Sequence, residues 1–229
     1  MDIDELTFAP AHRLLTLLEA REISAAELTN AFLDKIRRIN PCLNAVVTIA
    51  AERVLLEARL SDTRRARGQT VGPLEGLPIT IKDSIATAGI RSTSGTKHFE
   101  HYTPTEDAIV VARLRAAGAI VIGKTNIPEL AADVDCDNPI FGAKSNPWDF
   151  GCVPGGSSGG EGAAQSTTLS TVGLGTDTGG SIRIPAHFCG VCGLKPSAAT
   201  VPRKAPISHR RCRWISSRFP GRSRVPSTT

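Results

Sequence analysis

Apolar and polar positions divide the chain into three textures. Over the first forty residues the apolar positions recur at helical spacing, with Leu14, Leu15, Leu17 and Leu18 in one run and ISAAELTNAFLDKIRRINP, residues 23–41, after it. Ser24 and Glu27 stand at capping-box spacing and predict a helix start there, while Pro41 predicts its end. NAVVTIA, residues 44–50, is a short apolar run, and AERVLLEARLSDTRRARG, residues 51–68, reads as a further amphipathic helix closed by Gly68.

From residue 72 strand-like and helix-like pieces alternate. GLPITIKD (76–83) predicts a buried strand, DAIVVARLRAAG (107–118) a helix ending at Gly118, and AIVIGKTN (119–126) a second buried strand. Strand, helix, strand in that order predicts an α/β layered fold. After about residue 140 glycine and serine dominate, in GGSSGGEG (155–162) and GLGTDTGG (173–180). Such stretches are most often flexible linkers. Here ordered-looking sequence flanks them, and Ser158 with Glu161 repeats the capping-box spacing, which predicts a helix beginning inside the glycines.

The last texture is a tail. Residues 197–229 mix proline, serine and arginine without apolar periodicity, and too little hydrophobic surface is present to offset the entropy of ordering them. The expectation is a body over residues 1–196 and a disordered tail over 197–229.

Composition adds bounds. With 229 residues and 41% hydrophobic content the chain can bury a sizeable core. No run of 18 or more apolar residues occurs, and the start MDIDELTFAPAHR is acidic where a signal peptide is basic and then apolar, so a cytoplasmic location is expected. The formal charge of +5 is a property of the tail, which holds eight basic residues and no acid, whereas residues 1–196 carry net −3. Nucleic acid is therefore not an expected partner of the body, and acidic partners concern the tail alone.

Six cysteines (Cys42, Cys136, Cys152, Cys189, Cys192, Cys212) are too scattered for a disulfide-stapled domain, and the single CxxC at Cys189 and Cys192 lacks the second pair or the histidines of a zinc site. The five histidines form no metal-ligand spacing, so neither metal nor cofactor is expected.

The chemistry concentrates in GTDTGGSIRIPA, residues 175–186, where Ser181 stands among glycines as a side chain presented for reaction. No histidine is placed to activate it. GxSxG occurs at residues 156–160 and would make Ser158 the nucleophile of a hydrolase elbow, but the pattern is nearly free in so glycine-rich a stretch, and only His187 and His209 follow. SxxK at residues 94–97 lacks its companion elements and reads as coincidence. A GxxxxGK[ST] phosphate loop is absent.

The base at neutral pH is then a lysine or a carboxylate. A lysine is ordinarily a solvated surface charge, but Lys82 ends the apolar run LPITI and is drawn toward the interior. Losing its proton near pH 7 requires roughly 4 kcal/mol relative to an exposed lysine, within what desolvation supplies. A second hydroxyl between base and nucleophile could relay the proton, and Ser157 and Ser158 are both candidates.

These motifs together resemble the amidase signature family, serine hydrolases with a Ser-Ser-Lys triad. The resemblance runs from about residue 10 to residue 197 and is densest in GLPITIKD, LRAAGAIVIGKTNIPEL (114–130), NPIFGAKSNPWDF (138–150), VPGGSSGGEGAA (153–164) and GLGTDTGGSIRIPAHFCGVCGLKPS (173–197). It implies a layered α/β/α fold with a mixed β-sheet core, incomplete here at its C-terminal side. It implies Ser181 as the nucleophile, Ser157 as a bridging serine on a cis peptide bond, and Lys82 as the base. Backbone N–H groups of Thr178, Gly179, Gly180 and Ser181 are the implied oxyanion donors, with Asp177 and Arg183 bracing the loop.

The implied activity is hydrolysis of a small-molecule amide to acid and amine, through an acyl-enzyme and without a cofactor. A homodimer is the assembly expectation. Family members are usually about twice this long, and a change of reading frame or an unspliced intron would produce the shift in texture near Ser197. A catalytically silent fragment is accordingly the rival reading. The tRNA-linked amidotransferase members carry an MDEFAMG-like element after GKTN, whereas IPELAAD stands at 127–133 here, which disfavours that branch. GGSSGGEGAA and FCGVCGLKP are worded more like the fatty acid amide hydrolases.

Overall fold

The computed structural model describes residues 3–197, 200–201 and the backbone of 216–217. The helices α1 (Ile3–Phe8), α2 (Ala11–Glu19) and α3 (Ala25–Leu43) precede β1 (Val46–Ile49) and α4 (Ala51–Ala66). Then come β2 (Pro78–Lys82), α5 (Ile109–Ala116), β3 (Ile120–Thr125), α6 (Gly159–Ser166), β4 (Val172–Leu174), α7 (Arg183–Cys189) and β5 (Ser216–Ser217). The strands lie in the order β1-β3-β2-β4-β5. The pairs β2–β3 and β2–β4 are parallel, and antiparallel β1 and β5 close the two edges, so the sheet is mixed as expected.

The start of α3 follows its sequence signal. Ser24 Oγ accepts from the Glu27 N–H at 3.0 Å and Glu27 Oε2 accepts from the Ser24 N–H at 2.8 Å, completing the capping box. Asp62 on α4 takes the next two free donors, the N–H groups of Ala25 and Ala26, at 2.7 and 3.1 Å. Each such satisfied donor contributes on the order of 1 kcal/mol.

The end of α3 departs from expectation. Pro41 lies inside the helix, which continues to Leu43 and stops where Asn44 adopts a left-handed conformation at φ 52°. A proline in the last turn forfeits one hydrogen bond without blocking the residues after it, so the left-handed Asn44 sets the boundary. Gly118 ends the unit after α5 as predicted, at φ +93°. There a Cβ would come within 2.9 Å of the Glu75 backbone, so glycine is required both for conformation and for close approach.

The core gathers Leu14, Leu17 and Leu18 of α2, Phe32 and Ile36 of α3, Val54 and Ala58 of α4, and the apolar positions of β2 and β3. All five residues of β2 and all six of β3 are buried, the pattern of strands covered on both faces. Side chains alternate along a strand, so Ile79 and Ile81 share one face of β2 while Thr80 and Lys82 share the other, which α6 covers. That alternation delivers a lysine to the helix side of the sheet.

The disorder expected of the tail from residue 197 falls almost wholly outside the described residues. Where the backbone is described, Ser216 and Ser217 pair with Gly173 and Val172 at the edge of the sheet. Among the described residues no helix is long and apolar enough to cross a membrane.

Candidate active site

Lys82 is the last residue of β2 and is fully buried, paired across the sheet with Thr125. Its Nζ donates to Ser157 Oγ at 2.6 Å, to Thr176 Oγ1 at 2.9 Å and to Ser158 Oγ at 3.0 Å. Both Ser157 and Ser158 are buried, and the Gly156–Ser157 peptide bond is cis. Lys82 and Ser157, named from separate ends of the sequence, thus meet directly.

The helix expected inside the glycines begins where predicted, but its capping box does not form. Ser158 is the N-cap of α6 and its hydroxyl makes no cap hydrogen bond. That oxygen instead contacts Lys82, accepts from the Thr176 N–H at 3.2 Å and donates to the Thr176 carbonyl at 3.2 Å. Glu161, the other half of the predicted box, accepts from Thr80 Oγ1 and Thr125 Oγ1, each at 2.8 Å. Both side chains have stronger claims on them inside the sheet than at the helix end.

Ser181 reaches the same place through its backbone. The Ser158 N–H donates to the Ser181 carbonyl at 3.0 Å, which fastens the loop before α7 to the start of α6. Among the described residues the Ser181 hydroxyl itself stands outside the hydrogen-bonded cluster of Lys82, Ser157, Ser158 and Thr176. Ser181 is half-buried.

Asp177 shapes this loop. Its buried carboxylate accepts from the N–H groups of Gly180, Ile182 and Arg183 at 2.8, 3.2 and 3.3 Å, and from Arg183 Nε and Nη2 at 2.9 Å each. Burial alone would raise its carboxyl, but the Arg183 guanidinium and the three amides prevail and hold it down at about 2. The Gly180 N–H is therefore committed to Asp177. Of the other residues singled out as oxyanion donors, Thr178 and Gly179 are exposed, and the Gly179 Cα faces open space.

Several groups escaped the sequence reading. Thr176 had a signal only in its position before Asp177. Lys124 lies near the end of the second apolar run as Lys82 ends the first, and it is equally buried. Burial lowers its amine to about 7, against the pull of Asp83 and Glu161, and its Nζ donates to the Ile85 carbonyl and, at 2.8 Å, to Thr87 Oγ1. Glu161 is raised by burial to about 7, against its two threonine donors and the charges of Lys124 and Lys82. Among the described residues no three His, Cys, Asp or Glu side chains gather to hold a metal.

A buried lysine is thus hydrogen-bonded to a serine on a cis peptide bond, and a backbone hydrogen bond ties the neighbouring Ser158 to the glycine loop that carries Ser181. A model of the Amidase family matches residues 27–216, and the chain belongs to that family. Among solved structures, a fatty acid amide hydrolase superposes with a TM-score of 0.86 at 29% identity, over 90% of this chain and 36% of its own. A peptide amidase from Stenotrophomonas maltophilia superposes with a TM-score of 0.82 at 36% identity, over 87% of this chain and 42% of its own. From Carboxydothermus hydrogenoformans, the A-type chain of the glutamyl-tRNA(Gln) amidotransferase is 46% identical over 199 residues, which are 87% of this chain and 41% of that protein. The chain thus spans about two fifths of the length of the curated relatives it matches. Overall identity and the IPELAAD element point to different branches of the family.

Proposed function

We propose that the chain hydrolyses a carboxylic amide through an acyl-enzyme on Ser181, with Ser157 as proton relay and Lys82 as base. The observation that carries this reading is the 2.6 Å contact between Lys82 Nζ and Ser157 Oγ in a fully buried setting. When Lys82 is neutral the same contact carries a proton the other way, from the Ser157 hydroxyl to the amine, and Ser157 takes its replacement from Ser181. Ser181 Oγ then bonds to the amide carbon, and the carbonyl oxygen takes the negative charge. Backbone N–H groups on the glycine loop, those of Gly179 and Ser181 first, receive that charge; one such donor contributes about 2.7 to 4 kcal/mol.

As the C–N bond breaks, the protonated lysine returns a proton through Ser157 to the departing amine. Water takes the amine's place and gives its proton through Ser157 to neutral Lys82 as its oxygen bonds to the ester carbon; the relay then returns that proton to the Ser181 oxygen as the ester bond breaks and the acid leaves. No cofactor takes part in these steps. The test is a fluorophosphonate probe, whose phosphorus bonds to an activated serine oxygen with loss of fluoride. The intact chain is expected to label and Ser181→Ala to remain unlabelled; a folded protein that never labels contradicts the reading and favours the silent-fragment alternative.

A second reading is favoured by the 46% identity to an amidotransferase chain whose name assigns it to glutamyl-tRNA(Gln). In that role the same triad would release ammonia from a primary amide for a partner to use. Release of ammonia from glutamine or asparagine by this chain, with no turnover of secondary amides, would favour it over general amide hydrolysis.

A further inference from the structure

Glu161 lies near the reacting groups but touches neither serine. It enters α6 three residues after Ser158, and its carboxylate comes to rest over the centre of the sheet. One oxygen accepts from Thr80 on β2 and the other from Thr125 on β3, each at 2.8 Å. Thr80 is two residues before Lys82 on the same face, and Thr125 is the cross-strand partner of Lys82. On the third side is Gly173 of β4, the cross-strand partner of Thr80. A Cβ on Gly173 would lie 1.9 Å from Glu161 Oε2, so the glycine leaves the space the carboxylate fills. Glu161 is 1% exposed, and three adjacent strands each contribute one small or hydroxyl residue to hold it.

A single buried carboxylate therefore joins the helix that begins at the Ser157–Ser158 pair to the strand that ends in Lys82. We infer that Glu161 is the positioning residue of the relay: it fixes α6 on β2 so that Lys82 meets Ser157, and its negative charge stabilises the protonated form of Lys82. This inference rests on the hydrolase reading and deepens it.

The titratable groups facing Glu161 are Lys82 from β2 and Lys124 from β3. Lys82 also faces the Cys136 thiol, and Lys124 faces Asp83, Asp107 and Arg115. Burial raises the Glu161 carboxyl to about 7, so it changes charge in the range where the relay works. An ionised Glu161 favours an ammonium at Lys82, and its loss makes Lys82 release its proton at lower pH.

The test uses the full chain and three readouts. In Glu161→Gln, which keeps the size and one acceptor but not the charge, the acid limb of the probe-labelling rate against pH is expected to move down by about one pH unit or more. In Thr125→Val, which keeps the charge and removes one tether, the labelling rate is expected to fall roughly ten- to a hundredfold with the limb in place. The third readout needs neither substitution nor activity: in the unmutated protein the Lys82 Cε and Glu161 Cδ resonances, followed by carbon-13 NMR, are expected each to show an inflection where the other group titrates.

A Lys82 resonance without that inflection overturns the inference, as does a Glu161→Gln profile that keeps its acid limb. A protein that labels while Lys82 titrates alone removes only this inference. One that shows the coupled titration and never labels removes only the hydrolase reading.

Discussion

At the scale of single residues, what decides the chemistry is where a charge can be held without water. Lys82 donates to three hydroxyls and has no exposed surface, so its state is set by neighbours rather than solvent. Asp177 is the opposite case, a carboxylate kept ionised by the amides and the guanidinium around it. Its folded-state pKa, about 2, lies below its unfolded value near 4, so its stabilisation is fully present above about pH 4 and disappears as pH falls toward 2. Thermal melts of the intact chain are expected to lose stability over that window, and Asp177→Asn to melt lower at pH 7 with a flatter profile across the same range. An unchanged melting point in that variant would show that the loop does not depend on the carboxylate.

Residue identity alone showed part of this. Lys82 was legible because a lysine at the end of LPITI has nowhere polar to go along its own strand. Ser158 and Glu161 were misread as a capping box because spacing reports what two side chains could do for a helix end. It does not report what a sheet below the helix offers them. Thr176 was invisible, since a threonine between glycine and aspartate carries no pattern until the loop is folded onto Lys82.

At the scale of elements, β2 organises the molecule: its period of two sends Ile79 and Ile81 into the core and Thr80 and Lys82 toward α6. Phe32 on α3 is fully buried in that core, and Phe32→Ala is expected to destabilise the protein by about 3–5 kcal/mol in urea unfolding. A loss below about 1 kcal/mol would mean the site collapses around the cavity more completely than packed interiors do. On the other face, Gly173→Ala forces a methyl group into the Glu161 carboxylate, and a large fall in labelling rate is expected from a substitution that touches neither serine nor lysine. Full activity in Gly173→Ala would contradict the packing described for α6.

The elements themselves were largely readable. Apolar period gave both buried strands and the α5 helix between them, and Gly118 gave a stop that its left-handed conformation explains. Pro41 is a poor stop signal because a proline forfeits one hydrogen bond to the preceding turn and leaves the residues after it free to finish the helix, which ends where Asn44 turns left-handed. The sheet order and the antiparallel edges were not readable from residue pattern, since nothing in a single strand names its neighbour.

At the scale of the whole molecule, the fold contains every residue the family resemblance assigns to the relay, on a chain that spans about two fifths of the length of the curated relatives it matches. The charge is divided unevenly, with net −3 on residues 1–196 and eight basic residues beyond. Binding of the chain to duplex DNA is therefore expected to fall steeply with salt and to vanish when residues 197–229 are removed, as a shift assay at two salt concentrations would read. Salt-insensitive binding by the shortened chain would contradict that division.

The proposed hydrolysis depends on a buried amine driving the reaction of Ser181. It is tested most directly by the rate at which a fluorophosphonate modifies Ser181, mapped by peptide mass spectrometry, in the intact chain and in Lys82→Met. An adduct on Ser181 is expected that forms about 10²- to 10⁴-fold more slowly without the lysine, in a variant whose circular dichroism matches the parent. An adduct forming equally fast without Lys82, or forming on Ser157 or Ser158 instead, would contradict it.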